Sequence, residues 1–373
     1  MTQLGRAIRH AWRLDPDFCT VNHGSFGAAP DCVLREQDAW RRKMEAQPTR
    51  FMSTLPAALR EVADRLGAFL GARGEDIAFV DNATSGCNAV LRSLRLRPGD
   101  EVLVLDHGYG AVRDAVRFVT EQAGARMIEA AIPFPEGTSD SIAAALTPRT
   151  RLAVIDHITS ASALVLPVDR IAAACHDVGV PILVDGAHGP GHIDLHLNTL
   201  GVDWYTGNCH KWLCAPKGSA FLWTSPAKQP ETHPTVISHG FGQGYIQEFD
   251  WTGTRDPSAI LSIPAAIDFH ELLGGPSLRR RNVDLAGEAA SLVAHRLNTE
   301  TFPGCAMRLV RLPVSPDTAP LPLRARLLAA GTDAPVHAIG GALWLRLSAF
   351  AYNDLEDYAR LADIVAGVLW ENA

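Results

Sequence analysis

Lys211 closes the segment Asp203-Trp204-Tyr205-Thr206-Gly207-Asn208-Cys209-His210-Lys211, with Trp212 directly after it. Lysines avoid apolar and aromatic surroundings unless paired, because the ammonium loses its hydration there. A lysine partly stripped of water has a lowered pKa and is a good imine-forming nucleophile. The plainer reading is a stem that snorkels its charge to the surface. Asp185 ends the run Pro181-Ile182-Leu183-Val184, which places its carboxylate half buried at the end of a strand. There it needs a cationic partner, or else it caps the following loop. His188, three residues on, reaches the same ligand or closes the turn. Thr84-Ser85-Gly86 falls where a strand meets a helix expected to begin near Cys87. Free backbone N–H groups and the positive helix end suit a phosphate, with Thr84 or Ser85 adding a hydroxyl; an ordinary helix cap is the alternative.

These residues need a scaffold that gathers them, and the pattern supplies one. Short apolar runs recur at Ile77–Val80, Val102–Leu105, Leu152–Ile155, Ile182–Val184 and Ala220–Trp223. Between them lie segments with helical spacing, such as Leu55–Leu70, Ala111–Gln122 and Val168–Val178. Buried strands alternating with helices indicate βαβ units and a mostly parallel α/β sheet. In such sheets ligands bind beyond the carboxyl ends of the strands. Four strand ends here turn polar at once: Asp81 to Gly86, Asp106-His107-Gly108-Tyr109, Asp156-His157-Ile158-Thr159-Ser160, and Asp185 to His188. Later elements read differently, with long helical patterns at Leu278–Leu297 and Asp354–Leu369 around Arg308–Leu312, Leu323–Ala330 and Ala342–Leu347. They suggest a smaller α+β domain at the C-terminal end, entered near the Pro and Gly cluster Asp256–Gly275. The expected division is 20–256 for the large domain and 257–373, with 1–19, for the small one.

Composition narrows the function classes. The chain has 373 residues, 47% hydrophobic and 20% charged, with 34 Lys plus Arg against 41 Asp plus Glu. That is ample for a packed core. A net charge of −7 without a basic tract disfavours nucleic acid and anionic membranes as partners. Seven scattered cysteines form no CxxC pair, which argues against a zinc ribbon or a thioredoxin-type motif and for reduced thiols. No metal site is expected. No window approaches the roughly 20 apolar residues of a membrane helix, and the N-terminus lacks a signal-peptide core. A soluble cytoplasmic protein is the expectation.

A phosphate turn, a buried aspartate, a histidine after one strand and a lysine after another are together the parts of a pyridoxal phosphate site. Longer motifs carry the resemblance further: Val184 to His188, Tyr205 to Trp212, Trp251-Thr252-Gly253-Thr254-Arg255-Asp256-Pro257, Asn22-His23-Gly24-Ser25-Phe26-Gly27 and Arg346 to Asn353. The chain resembles the class V aminotransferase family of fold-type I pyridoxal phosphate enzymes, nearest to isopenicillin N epimerase-like proteins, from about Val21 to Asn353. The resemblance implies a seven-stranded, mostly parallel sheet flanked by helices. It also implies that Lys211 holds the cofactor aldehyde, Asp185 pairs with the pyridine nitrogen and His188 approaches the phenolic oxygen. His107 would stack on the ring, with Tyr109 the weaker candidate. Thr84, Ser85, Asn208 and His210 would hold the phosphate, and Thr159 or Ser160 would face the phenolic oxygen. Thr254 resembles a residue that reaches the phosphate of a neighbouring subunit, which implies a homodimer with shared sites. Arg346 matches an arginine that clamps the substrate carboxylate, a task its bidentate fork suits, and Asn22 and His23 match a segment near the substrate. Gly240-Phe241-Gly242-Gln243-Gly244 lacks nucleotide-loop spacing and reads as a flexible active-site loop.

The freed Lys211 is the obvious base for a Cα proton. Cysteine desulfurases of this family carry a nucleophilic cysteine shortly before the carboxylate-binding arginine. Ala306–Leu345 contains none, and Cys305 lies far upstream, so sulfur transfer is disfavoured. Epimerisation is placed slightly ahead of carbon–sulfur β-elimination, with transamination behind both. Inversion needs a proton donor on the opposite face, for which His23, His107, Tyr109 and His239 are candidates.

Overall fold

A computed structural model describes residues 3–136 and 140–370. Seven strands build the main sheet: β1 (Ile77–Val80), β2 (Glu101–Leu105), β3 (Arg126–Ala130), β4 (Thr150–Asp156), β5 (Ile182–Asp185), β6 (Trp204–Asn208) and β7 (Ala220–Thr224). They lie in the order β1-β7-β6-β5-β4-β2-β3. Pairings from β3 through β6 are parallel, and β7 runs antiparallel to both β1 and β6. Each of the five apolar runs is a strand, as their buried, β-branched-rich composition requires. The edge strand β3 escaped the sequence reading because much of Arg-Met-Ile-Glu-Ala is exposed or half exposed, so it carries no continuous apolar run.

Helices cover both faces. On one, Pro48–Leu70, Val168–Asp177 and Ile263–Leu272 share a core with alternate sheet residues such as Leu103, Ile155 and Val184. On the other, Ala83–Ser93 and Gly110–Ala123 pack on Val102, Val104, Val154 and Leu183. Alternation along each strand divides the two sets, as the period of two dictates. Chain segments 260–278 still belong to the first core. A second core takes over from Leu285 within the helix Pro276–Arg296, around the antiparallel sheet β8 (Met307–Arg311), β9 (Val336–Ile339) and β10 (Ala342–Ser348), in the order β8-β10-β9. Helices Pro320–Ala329 and Leu355–Trp370 close it. Cys19 and Val21 join this second core, and Cys19 bridges to Thr332.

One local expectation is corrected. The helix after β1 begins at Ala83, not near Cys87. Asn82 caps it, its side chain accepting the Ser85 N–H at 2.9 Å. Thr84 and Ser85 are therefore the first turn itself. Gly86 lets that turn approach β6 closely: a Cβ there would stand 2.2 Å from Thr206 Oγ1. Among the described residues, no helix is long and apolar enough to cross a membrane.

Candidate active site

The ends of five strands converge on one cleft of about 440 Å³. Asn82 to Ser85 follow β1, Tyr109 follows β2, and Asp156, Ile158 and Ser160 come from the end of β4. Asp185, Ala187 and His188 come from β5, and Asn208, His210 and Lys211 from β6. Ser25 and Phe26 close the side from the N-terminal segment. The fifth polar strand end is β6, the strand the sequence placed ahead of Lys211.

Lys211 sits in a tight loop after β6, where Cys209 N–H donates to Ser219 O and Cys214 N–H to Lys211 O. The N-terminal segment pins that loop from behind. Gly27, at φ +63°, lies so near that a Cβ would come within 2.0 Å of His210 O, and only glycine takes this position without strain. Lys211 Nζ stands 3.3 Å from His188 Nε2. Burial draws the ammonium down to about 8, with the charge of Asp185 opposing the shift. His188 receives Trp212 Nε1–H on Nδ1 at 3.3 Å and is held neutral, first by burial and then by Lys211 and Arg346.

Asp185 and Asp156 are register partners at the ends of adjacent parallel strands, both buried. Burial raises both carboxyls; for Asp156 the charge of Asp185 adds to it. Asp156 is pushed the further of the two, because the Asp185 charge adds to its burial, while the Ala187 N–H and Lys211 oppose the rise at Asp185. Asp156 escaped selection as a site residue, although it begins one of the polar strand ends. Its signal was its position opposite Asp185 in a parallel sheet, which requires knowing the register.

Thr84, Ser85, Asn208 and His210 all line the cleft. Asn208 Oδ1 accepts the Ala83 N–H at 2.8 Å, tying β6 to the helix end. His210 Nδ1 meets Ser219 O at 3.2 Å, and burial lowers its pKa to about 4. Of the pair Thr159 and Ser160, Ser160 faces the cleft; Thr159 is fully buried in its own loop, its hydroxyl accepting the Leu164 N–H. Tyr109 lines the cleft at 44% exposure. His107 does not line it. Its Nδ1 meets Ser162 Oγ at 3.0 Å, and its ring packs edge-on against Phe134.

Arg346 comes from the middle strand β10 and is 2% exposed behind the Ser160 wall. Its Nη1 donates to the Ser160 carbonyl and hydroxyl, and Nη2 to Asn22 Oδ1 and Ser25 Oγ. Nε has no partner. His23 is turned away from the cleft: Nδ1 meets Tyr352 OH, Nε2 meets Lys211 O, and its ring stacks on Phe350. Thr254 and His239 are exposed and outside the cleft of their own chain. The glycine loop 240–244 is mostly exposed ahead of the helix Tyr245–Asp250.

The arrangement fits pyridoxal phosphate. Asp185 is a buried carboxylate that receives the Ala187 N–H at 3.0 Å and has no cation in ion-pair contact among the described residues, so a protonated pyridine nitrogen answers its charge. The capped helix end offers N–H groups to a phosphate, and Lys211 offers a reactive amine between them.

Comparison with known proteins gives the same direction. Residues 27–302 match the aminotransferase class-V family. The probable chloroplastic L-cysteine desulfhydrase of Arabidopsis thaliana is 32% identical over 95% of this chain and 84% of its own length. Isopenicillin N epimerase of Amycolatopsis lactamdurans is 33% identical over 94% of this chain and 95% of its own. A solved structure of a C-DES mutant, with glycine covalently linked to its PLP cofactor, superposes with a TM-score of 0.86 at 19% identity, over 96% of this chain and 98% of that one. At that identity the likeness concerns the fold.

Proposed function

This chain belongs to the pyridoxal phosphate-dependent class V aminotransferase family, and we propose that it abstracts the Cα proton of a cysteine-derived amino acid and eliminates the sulfur substituent. Bound in the cleft, the cofactor supplies an aldehyde for the substrate amine and a ring that takes up the electrons released at Cα. Lys211 Nζ, an amine brought down to about 8, is suited to accept that proton near neutral pH. Asp185 would hold a proton on the ring nitrogen by its buried carboxylate. Arg346 would receive the α-carboxylate and so orient the substrate's Cα. In the elimination the Cα–H electrons form the Cα–Cβ double bond, the Cβ–S pair leaves with sulfur, and the remaining fragment hydrolyses to pyruvate and ammonia.

The observation that carries elimination over inversion is where the candidate proton donors lie: of the imidazoles that line the cleft, His188 stands beside Lys211 and His210 is engaged by Ser219 O. Elimination needs one base, and Lys211 is there. Inversion needs a second acid opposite, yet His23, His107 and His239 all lie outside the cleft, and the first two spend ring nitrogens on other partners. Relatives named as L-cysteine desulfhydrases support the same choice. Epimerisation is the second reading, favoured by Tyr109, which does line the cleft, and by the relatives named isopenicillin N epimerase. A desulfurase-type persulfide has little support, since among the described residues no cysteine lines the cleft. We further propose a homodimer in which Thr254 of each chain serves the other's cleft.

Proton NMR in heavy water tests the reaction, using the loaded enzyme with L-cysteine and a panel of cysteine S-conjugates. Pyruvate with a released thiol is expected. A D-isomer with deuterium at Cα and an intact skeleton would replace elimination by epimerisation.

A further inference from the structure

The guanidinium of Arg346 rests on a side chain that is itself held from outside the cleft. Asn22 Oδ1 accepts Arg346 Nη2 at 3.1 Å and Ser25 Oγ–H at 2.8 Å. At its other end, Asn22 Nδ2 donates to Asp333 Oδ2 at 2.6 Å. Asp333 stands between the helix Pro320–Ala329 and β9. Arg324 grips it through both carboxylate oxygens, Nε to Oδ1 at 2.8 Å and Nη2 to Oδ2 at 2.9 Å.

An asparagine amide has one end that accepts and one that donates, and a carboxylate accepts only. The Asp333 charge therefore dictates the orientation of the Asn22 amide. With Nδ2 committed to Asp333, Oδ1 must face Arg346; with the amide reversed, an NH₂ group would face the guanidinium and repel it. Burial works against the Asp333 charge, but its hydrogen bonds from Arg324 and Asn22 outweigh burial and hold the carboxyl below the usual carboxylate range. Asp333 feels the Arg346 charge but its ion pair, among the described residues, is with Arg324. Arg346 Nε is the donor of this group still without a partner among the described residues.

We propose that Asp333, gripped by Arg324, is a positioning residue for substrate recognition: it orients Asn22, and Asn22 holds Arg346 ready for the substrate carboxylate. This rests on the reading of Arg346 as the carboxylate clamp. It assigns to the small domain a part in choosing amino acids over simple amines.

The experiment compares L-alanine with ethylamine, which lacks only the carboxylate, in binding to the loaded enzyme followed by its visible absorbance. The wild type is expected to prefer L-alanine. In Asp333→Asn the L-alanine dissociation constant should rise about ten-fold while that for ethylamine stays within about two-fold, the scale of one charge-assisted hydrogen bond. Arg324→Met, which loosens Asp333 from the other side, should shift the same preference in the same direction. Equal weakening of both ligands in the two variants would mean a merely structural role and overturn the proposal, as would unchanged L-alanine binding. Arg346→Lys, measured alongside, separates the two levels. Preference lost there but kept in Asp333→Asn overturns the positioning role alone. Preference absent from the wild type, or kept in Arg346→Lys, overturns the clamp and this proposal with it.

Discussion

An amine with a pKa near 8 behaves differently from an ordinary lysine in the pH range where enzymes work. The shift at Lys211 comes first from burial, which disfavours the ammonium, and the Asp185 charge keeps it from falling further. The neutral amine is the form that attacks an aldehyde. Its fraction rises as pH rises through 8, from about a tenth at pH 7 to about nine tenths at pH 9. The rate at which the cofactor-free protein takes up pyridoxal phosphate should therefore climb about ten-fold across that interval and level off above it. Stopped-flow absorbance measures it. A rate that climbs through pH 10 without levelling would mean that Lys211 is not desolvated as the structure has it. This residue was legible in the sequence because a lysine between histidine and tryptophan is chemically out of place. Asp156 was not, because its meaning depends on the carboxylate opposite it in the next strand.

The elements do the gathering, and glycine contacts set how closely they meet. The helix Ala83–Ser93 brings Thr84 and Ser85 to the cleft only because Gly86 lets its first turn lie against Thr206 of β6. Gly86→Ala would push a methyl into Thr206, a fully buried side chain whose hydroxyl donates to Phe221 O at 2.9 Å. Overpacking of that kind costs about 1–3 kcal/mol. Urea denaturation of the cofactor-free variant should show this loss, and equilibrium titration should show weaker uptake of pyridoxal phosphate. Unchanged stability would mean that the helix shifts freely on the sheet. Five strands and six helices were readable because buried runs and helical periodicity are local signals, whereas the helix Asp31–Ala46 was not picked out. The start of this helix was misplaced by four residues because its cap, Asn82, follows the first polar residue after β1 and reads equally well as loop. His107 shows the opposite limit: its place after a strand was readable, but the rotation that turns it to Ser162 and Phe134 is set by packing from distant segments.

At the scale of the whole molecule, one chain leaves parts of its chemistry uncovered. Phe26, in the cleft wall, is 65% exposed, and Tyr109 is 44% exposed. Val236, Ile237 and Phe241, four to nine positions ahead of the helix Tyr245–Asp250, are each more than half exposed. Scattered single apolar residues need no explanation, but such a group beside a polar rim marks an interface. The sequence suggested sharing between subunits through Thr254, and Thr254 is not among the residues that line the cleft of its own chain. Burying the 236–241 segment against a second copy would meet both needs. Sedimentation of the native protein should then give the mass of two chains. Ile237→Glu would place a charge in that contact, so the variant should sediment as one chain at micromolar concentration and lose most of its turnover while its circular dichroism stays native. A charged variant that remains a dimer with full activity would move the interface elsewhere. A native protein that sediments as a single active chain would mean that one chain completes its own cleft, and would leave Thr254 without a catalytic part.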